Sequence, residues 1–144
     1  MSIAKIIVHS DVLKAHLDGG KAPSVLRIAA QRFFCYTTVF QAIELFAMAR
    51  SAEDMQAIED SMAAIKVLGL NPKNAAAYGK LLASHKRRSA MNLLVAGMCL
   101  ESRLPLLTDQ RKDFQGIQNL VIVPTRLVSR FSSGDEILQE AQRS

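Results

Sequence analysis

Residues 92–114 read Asn92-Leu-Leu-Val-Ala-Gly-Met-Cys-Leu-Glu-Ser-Arg-Leu-Pro-Leu-Leu-Thr-Asp-Gln-Arg-Lys-Asp-Phe114, and this stretch decides the fold. Its first half carries Leu93, Val95, Ala96, Met98, Cys99 and Leu100. A helix that is apolar on nearly every side is expected in the interior. Ser102 and Arg103 close it. Pro105 cannot continue a helix and begins the run Pro105-Leu106-Leu107-Thr108 instead. A continuous apolar run this short suits a parallel strand covered on both faces. Thr108, Asp109 and Gln110 then fall at the strand's carboxyl end, where ligands and catalytic groups collect in open α/β sheets.

The segments around this core alternate between strand and helix signals. Residues 3–8 are rich in β-branched side chains and should form the first strand. Ser10 is a candidate cap for the helix that follows, and Gly19-Gly20 ends it. A second helix is expected from Ser24 to about residue 31, with Val25, Ile28 and Ala29 inward. Residues 33–36 suit a second strand, after which Thr37 or Thr38 caps a helix through residue 48. A surface helix over residues 53–65 buries Met55, Ile58, Met62 and Ile65. Residues 67–70 are a candidate short strand. Asn71-Pro72 opens a further helix to about residue 84, with Ala75, Tyr78, Leu81 and Leu82 inward. A last strand is expected at residues 120–123, and Ser133 and Glu136 have capping-box spacing for a final helix.

This alternation implies an α/β fold, a three-layer α/β/α sandwich with right-handed crossovers and a central, mainly parallel sheet of four to five strands. Length and the lack of a linker suggest one domain over residues 1–144, with residues 125–144 a helical tail. A hydrophobic share of 49% suits a folded chain and not a disordered one. No apolar run is long enough to cross a bilayer, and the N-terminal residues lack a signal peptide's pattern, so a cytoplasmic location is expected. Cys35 and Cys99 lie in apolar surroundings and are read as free, buried thiols. The net charge of +5 permits a polyanionic partner. No aromatic ladder for stacking bases is visible in the sequence.

Taken in order, these pieces resemble the PIN domain, the fold of ribonuclease toxins in bacterial and archaeal toxin–antitoxin pairs. The likeness runs from about residue 6 to residue 123. Ile7-Val8-His9-Ser10-Asp11-Val12-Leu13 resembles the family's opening strand and turn. Thr38-Val39-Phe40-Gln41-Ala42-Ile43-Glu44-Leu45 resembles its second motif, with the acidic residue kept as Glu44. Asn92-Leu93-Leu94-Val95-Ala96-Gly97 resembles the third, and Leu106-Leu107-Thr108-Asp109-Gln110-Arg111-Lys112-Asp113-Phe114 the fourth. In that family clustered carboxylates hold Mg²⁺ or Mn²⁺, which activates a water against an RNA phosphodiester. Here His9 and Asn92 stand at acidic places, and Gln110 at one that is often acidic or amide. Mg²⁺ takes hard oxygen ligands, usually with one or two carboxylates. The resemblance therefore implies a PIN-like fold with a degenerate site. It should retain binding to RNA or a protein partner and have lost or weakened cleavage, with no cofactor unless activity remains.

Two other readings stay open on the same residues. An active endoribonuclease toxin would use a rearranged site of Asp11, Glu44, Asp109 and His9, with Glu44 as metal ligand. A protein-interaction or oligomerisation module, antitoxin-binding or homodimeric, would have no nucleic-acid role. The candidate site is Glu44 and Asp11 as catalytic groups, with His9, Asn92, Thr108, Asp109 and Gln110 lining the pocket. Lys86, Arg87, Arg88, Arg111 and Lys112 form a candidate phosphate-binding patch. Each residue also has a plainer role. Asp11 suits a helix start through its dipole, His9 suits a structural hydrogen bond, Glu44 suits a Lys or Arg partner, and residues 85–88 suit a solvated loop.

Overall fold

The structure, a computed structural model, describes residues 3–20 and 22–143. Met1, Ser2 and Ser144, which belong to the N-terminal stretch and the tail, lie outside the described residues, as does Lys21. Five strands form one sheet, all parallel: β1 (Lys5–Val8), β2 (Phe34–Thr38), β3 (Lys66–Leu68), β4 (Leu106–Leu107) and β5 (Ile122–Val123). Their spatial order is β3-β2-β1-β4-β5. The order reverses direction between β1 and β4, so the crevice of the fold lies beyond the carboxyl ends of those two strands.

Alternation along the strands divides the interior in two. Ile6, Val8, Cys35, Leu107 and Val123 face one core, which α1 (Ser10–Asp18), α2 (Val25–Arg32) and α4 (Ala52–Ala64) cover, together with the C-terminal helices. Ile7 and Leu106 face the other, under α6 (Ala90–Ser102) and the short α7 (Arg111–Phe114). Between these helices in sequence lie α3 (Val39–Met48) and α5 (Ala75–Ser84). The C-terminal pair is α8 (Arg126–Arg130) and α9 (Gly134–Arg143). The result is the expected three-layer sandwich.

The central stretch behaves as its composition demands. Leu93, Val95, Ala96, Gly97, Met98 and Cys99 of α6 are all buried. Gly97 is required by close approach, because a Cβ there would sit 2.4 Å from the Tyr78 ring of α5. Arg103 adopts a left-handed φ of 57° and closes the helix, leaving Pro105 to lead into β4. Cys35 and Cys99 are buried and unbridged.

Several local expectations change. Ser10 is the first residue of α1 and not its cap; His9 takes the N-cap position in extended conformation. The reason is Asp11, whose carboxylate already accepts the Val12 N–H at 2.9 Å. Phe33 ends α2 and does not begin β2. Ala75 is exposed at the very start of α5, where a 3-10 turn at Pro72–Asn74 leads in, while Tyr78, Leu81 and Leu82 face inward. Met55 is also exposed. The tail is two helices, the short α8 preceding the one that Ser133 announces. Of the two candidate caps for α3, Thr38 is the one used: it forms a capping box with Gln41.

Candidate functional site

The carboxyl ends of β1, β2 and β4 are tied together by buried polar side chains. The Val8 carbonyl at the end of β1 accepts from Thr37 Oγ1 at 3.0 Å and from Gln41 Nε2 at 2.8 Å. Gln41 is fully buried, and its Oε1 accepts the Thr38 backbone N–H at 3.1 Å, completing the capping box. The His9 N–H donates to the Leu107 carbonyl at 3.1 Å, which joins β1 to β4 at the crevice.

His9 sits inside this junction at 2% exposure. Its ring meets Phe114 edge-on at 4.9 Å between centroids. Nδ1 lies 3.3 Å from Asp11 Oδ1 and 3.2 Å from Thr108 Oγ1. Thr108 Oγ1 donates its one proton to the Asp11 carboxylate, 3.1 Å from either oxygen, and accepts the Gln110 N–H at 3.0 Å. With that proton committed, the network assigns Nδ1–H as the donor from His9.

Asp11 is thus surrounded by donors. Besides His9, Thr108 and Val12, the Asp109 N–H reaches Oδ2 at 2.9 Å. Burial works against ionisation here, but hydrogen bonds from His9, the Asp109 amide and Thr108, together with the nearby imidazole, hold the carboxyl below its ordinary value. The carboxylate is charged, yet its lone pairs are occupied by protein donors. Asp109 turns the other way. It accepts from the backbone N–H of Thr125 at 2.9 Å and also from the Thr125 hydroxyl, tying the β4 turn to the chain after β5.

Glu44 and Asn92 take hydrogen-bond partners outside this network. Glu44 Oε2 accepts from Lys14 Nζ at 2.6 Å, and both side chains are about one-third exposed. Lys14 follows Asp11 by one turn of α1, so it brings a cation to the same side of the crevice. Asn92 occupies the third position of α6 and donates its backbone N–H to Ser89 Oγ at 3.3 Å. It is half-buried, and no hydrogen bond of its side chain occurs among the described residues.

The basic patch divides by role. Arg88 donates to the Asp113 carbonyl at 2.8 Å and to the Gln115 carbonyl, clamping the entry of α6 to the end of α7. Gly116 lies under it with φ +84°, and a Cβ there would come within 3.3 Å of the guanidinium. Lys86, Arg87, Arg111 and Lys112 are exposed. The clamp keeps the loop that carries Lys86 and Arg87 beside the helix that carries Arg111 and Lys112.

No protein-family model matches this sequence, and no curated protein matches it significantly. Solved structures do match in shape. A DNA-bound VapBC from Salmonella typhimurium aligns with TM-score 0.71 and 15% identity, over 85% of this chain and 98% of that one. VapBC2 from Rickettsia felis, bound to a promoter DNA fragment, gives 0.70 and 16%, over 83% and 98%. PAE2754 from Pyrobaculum aerophilum gives 0.60 and 13%, over 99% and 98%. The chain has the PIN-domain fold. At these identities the likeness establishes architecture, and the chemistry rests on the side chains themselves.

The PIN resemblance implies a divalent metal, and the donor set can be tested for it directly. Mg²⁺ asks for several free oxygens around one point. Asp11 is saturated by four protein donors, Asp109 is turned to Thr125, and Glu44 is neutralised by Lys14. Among the described residues no three His, Cys, Asp or Glu side chains are grouped to hold an ion. Coulomb energies scale inversely with distance, so an ammonium and a carboxylate side by side present a dication with nearly cancelling terms, each of order 8 kcal/mol at about 4 Å and an effective dielectric of about 20. The residues present do not fit the metal.

Lys14, Gln41 and Thr125 were not singled out from sequence. Gln41 had a usable signal, three residues after Thr38 in a capping box. Lys14 lies thirty positions from Glu44, and no local pattern joins them.

Proposed function

We propose that this chain is a PIN-fold nucleic-acid-binding protein whose metal-dependent ribonuclease activity is lost or strongly weakened. The Lys14–Glu44 pair carries the proposal: the one carboxylate that matches the acidic pattern faces an ammonium at 2.6 Å. Without a gathered dication there is neither an activated water nor a counter-charge for the phosphorane-like transition state. Binding has separate support. Lys86, Arg87, Arg111 and Lys112 are exposed, on two segments that Arg88 ties together, and such groups contact phosphates without reading bases. Against a rearranged active site of Asp11, Glu44, Asp109 and His9 stands the engagement of Glu44 by Lys14 and of Asp109 by Thr125.

The test is an RNA cleavage assay with Mg²⁺ and with Mn²⁺, run beside Glu44→Gln. The expected outcome is retention of RNA on a filter at low salt, with no cleavage above background in either sample. Cleavage that requires the metal and disappears in Glu44→Gln would overturn the proposal.

An antitoxin-like protein partner is a second reading with its own support. The matched structures include a member of the VapBC family of toxin–antitoxin systems from Mycobacterium tuberculosis and a toxin–antitoxin complex from Klebsiella pneumoniae. In this chain α3 exposes Ile43 and Met48, each at 54%. A homodimer would cover the same residues. No helix among the described residues is long and apolar enough to cross a membrane. A cytoplasmic setting, which keeps thiols reduced, accords with two free cysteines.

A further inference from the structure

The sheet brings together residues that the sequence leaves scattered. On the face that carries Ile7, strand register sets Lys5 beside Phe34 and Ile7 beside Tyr36, with Tyr36 in turn beside Lys66. Ile7 is buried and Tyr36 packs at the edge of the same core, which fixes the face. At the amino ends of β1, β2 and β3 this face is open. Phe34 is 48% exposed, Tyr36 is half-buried, and Lys5 and Lys66 are exposed. The rings of Phe34 and Tyr36 lie 5.0 Å apart at 44°. A cleft of about 410 Å³, lined by Phe34, Cys35, Ile65 and Lys66 among others, opens beside Phe34. An aromatic pair is therefore present that no linear ladder in the sequence announces.

We propose that this end of the sheet is a second binding surface, a stacking platform for single-stranded nucleic acid. Phe34 would take the face of one base, with Tyr36 supporting its ring from behind. Lys5 and Lys66, one on either side, would take the adjoining phosphates. Stacking on exposed rings is tolerant of sequence because every base has a π-face. The charge argues for this occupant over a protein. Cores of protein interfaces are depleted of lysine, whereas here two lysines flank the rings and none of the five residues in these rows is acidic. The platform lies at the amino ends of the strands, opposite the His9–Asp11 junction at their carboxyl ends. It deepens the binding reading above and rests on it for the class of ligand, not for the fate of the acidic site.

The chain contains no tryptophan, so Phe34→Trp creates a single reporter on the platform. Titration with a short oligouridylate at low salt should quench and saturate that fluorescence. By anisotropy of a labelled oligouridylate, Phe34→Ala should weaken binding about tenfold. Lys5→Glu with Lys66→Glu should weaken it further and reduce the log–log salt slope by about 1.4, roughly 0.7 for each phosphate no longer neutralised. These positions are exposed, and thermal melts of each variant confirm folding. If the unaltered protein binds and both sets of variants bind equally well, the platform is wrong and RNA is held elsewhere, which Arg111→Ala with Lys112→Ala would then show. If the unaltered protein binds no RNA at low ionic strength, the binding reading fails and the platform with it. A dimer that Phe34→Ala dissociates without altering RNA affinity would assign the surface to a second copy and overturn the proposal.

Discussion

Truncating Phe114 to alanine should lower the unfolding free energy by about 3–5 kcal/mol, the usual cost of emptying a large aromatic site in a core. The side chain is fully buried and belongs to the core on the α6 face of the sheet. It is also the buried residue of α7, a helix of four residues that Arg88 otherwise holds from the surface. Its edge-on contact with His9 adds a local consequence. Once the ring is gone, the imidazole loses the wall that holds Nδ1 toward Asp11 and Thr108. Urea denaturation of the full chain measures the loss, as a lower midpoint at unchanged slope. A change below about 1 kcal/mol would mean that the site collapses easily and that His9 is positioned by its hydrogen bonds alone.

The second large effect concerns charge. Lys14→Ala combined with His9→Asp and Asn92→Asp is expected to create a divalent-metal response that the unaltered protein lacks. Lys14→Ala frees the Glu44 carboxylate from its ammonium. The other two changes put carboxylates where the PIN resemblance expects them. In chelator this variant should be less stable than its parent, because His9→Asp sets a second buried negative charge beside Asp11 and removes a donor. Mn²⁺ should then raise its melting temperature. At a hundredfold excess over Kd, binding to the native state stabilises by about 2.7 kcal/mol, on the order of 5–15 °C for a chain of this size. The parent should not shift. A variant as indifferent to Mn²⁺ as the parent would show that the number and pairing of carboxylates is not what limits the site.

Sequence made the scaffold legible where local chemistry and burial agree. The β-branched run before His9 forms β1, Thr38 with Gln41 caps α3, and the apolar helix before Pro105 is interior. It was less legible where a side chain serves a distant partner. Thr125 sits at the N-cap of α8 without a side-chain cap bond and donates its hydroxyl and N–H to Asp109 instead. Ala75 is exposed at the first position of α5, directly after the 3-10 turn, whereas Tyr78, Leu81 and Leu82 of the same helix face inward as their spacing suggests.

The candidate site divides in the same way. Sequence placed His9, Asp11 and Thr108 at neighbouring strand ends, and the structure joins them by hydrogen bonds. Which donor saturates Asp11, and which cation faces Glu44, depends on pairs separated by thirty to ninety-eight positions. Those pairs decide the chemistry. The same holds for Phe34 with Lys5 and Tyr36 with Lys66, which only strand register brings side by side.

The most direct measurement is a calorimetric titration of Mn²⁺ into the unaltered, chelator-stripped protein, with Glu44→Gln as the reference. Internal partners occupy Asp11, Asp109 and Glu44, so the expected record is heat of dilution alone through millimolar Mn²⁺, the same for both proteins. Saturable, stoichiometric binding in the unaltered protein that vanishes in Glu44→Gln would contradict the account, because it would mean that the ion displaces Lys14 and recruits carboxylates that their hydrogen bonds do not withhold.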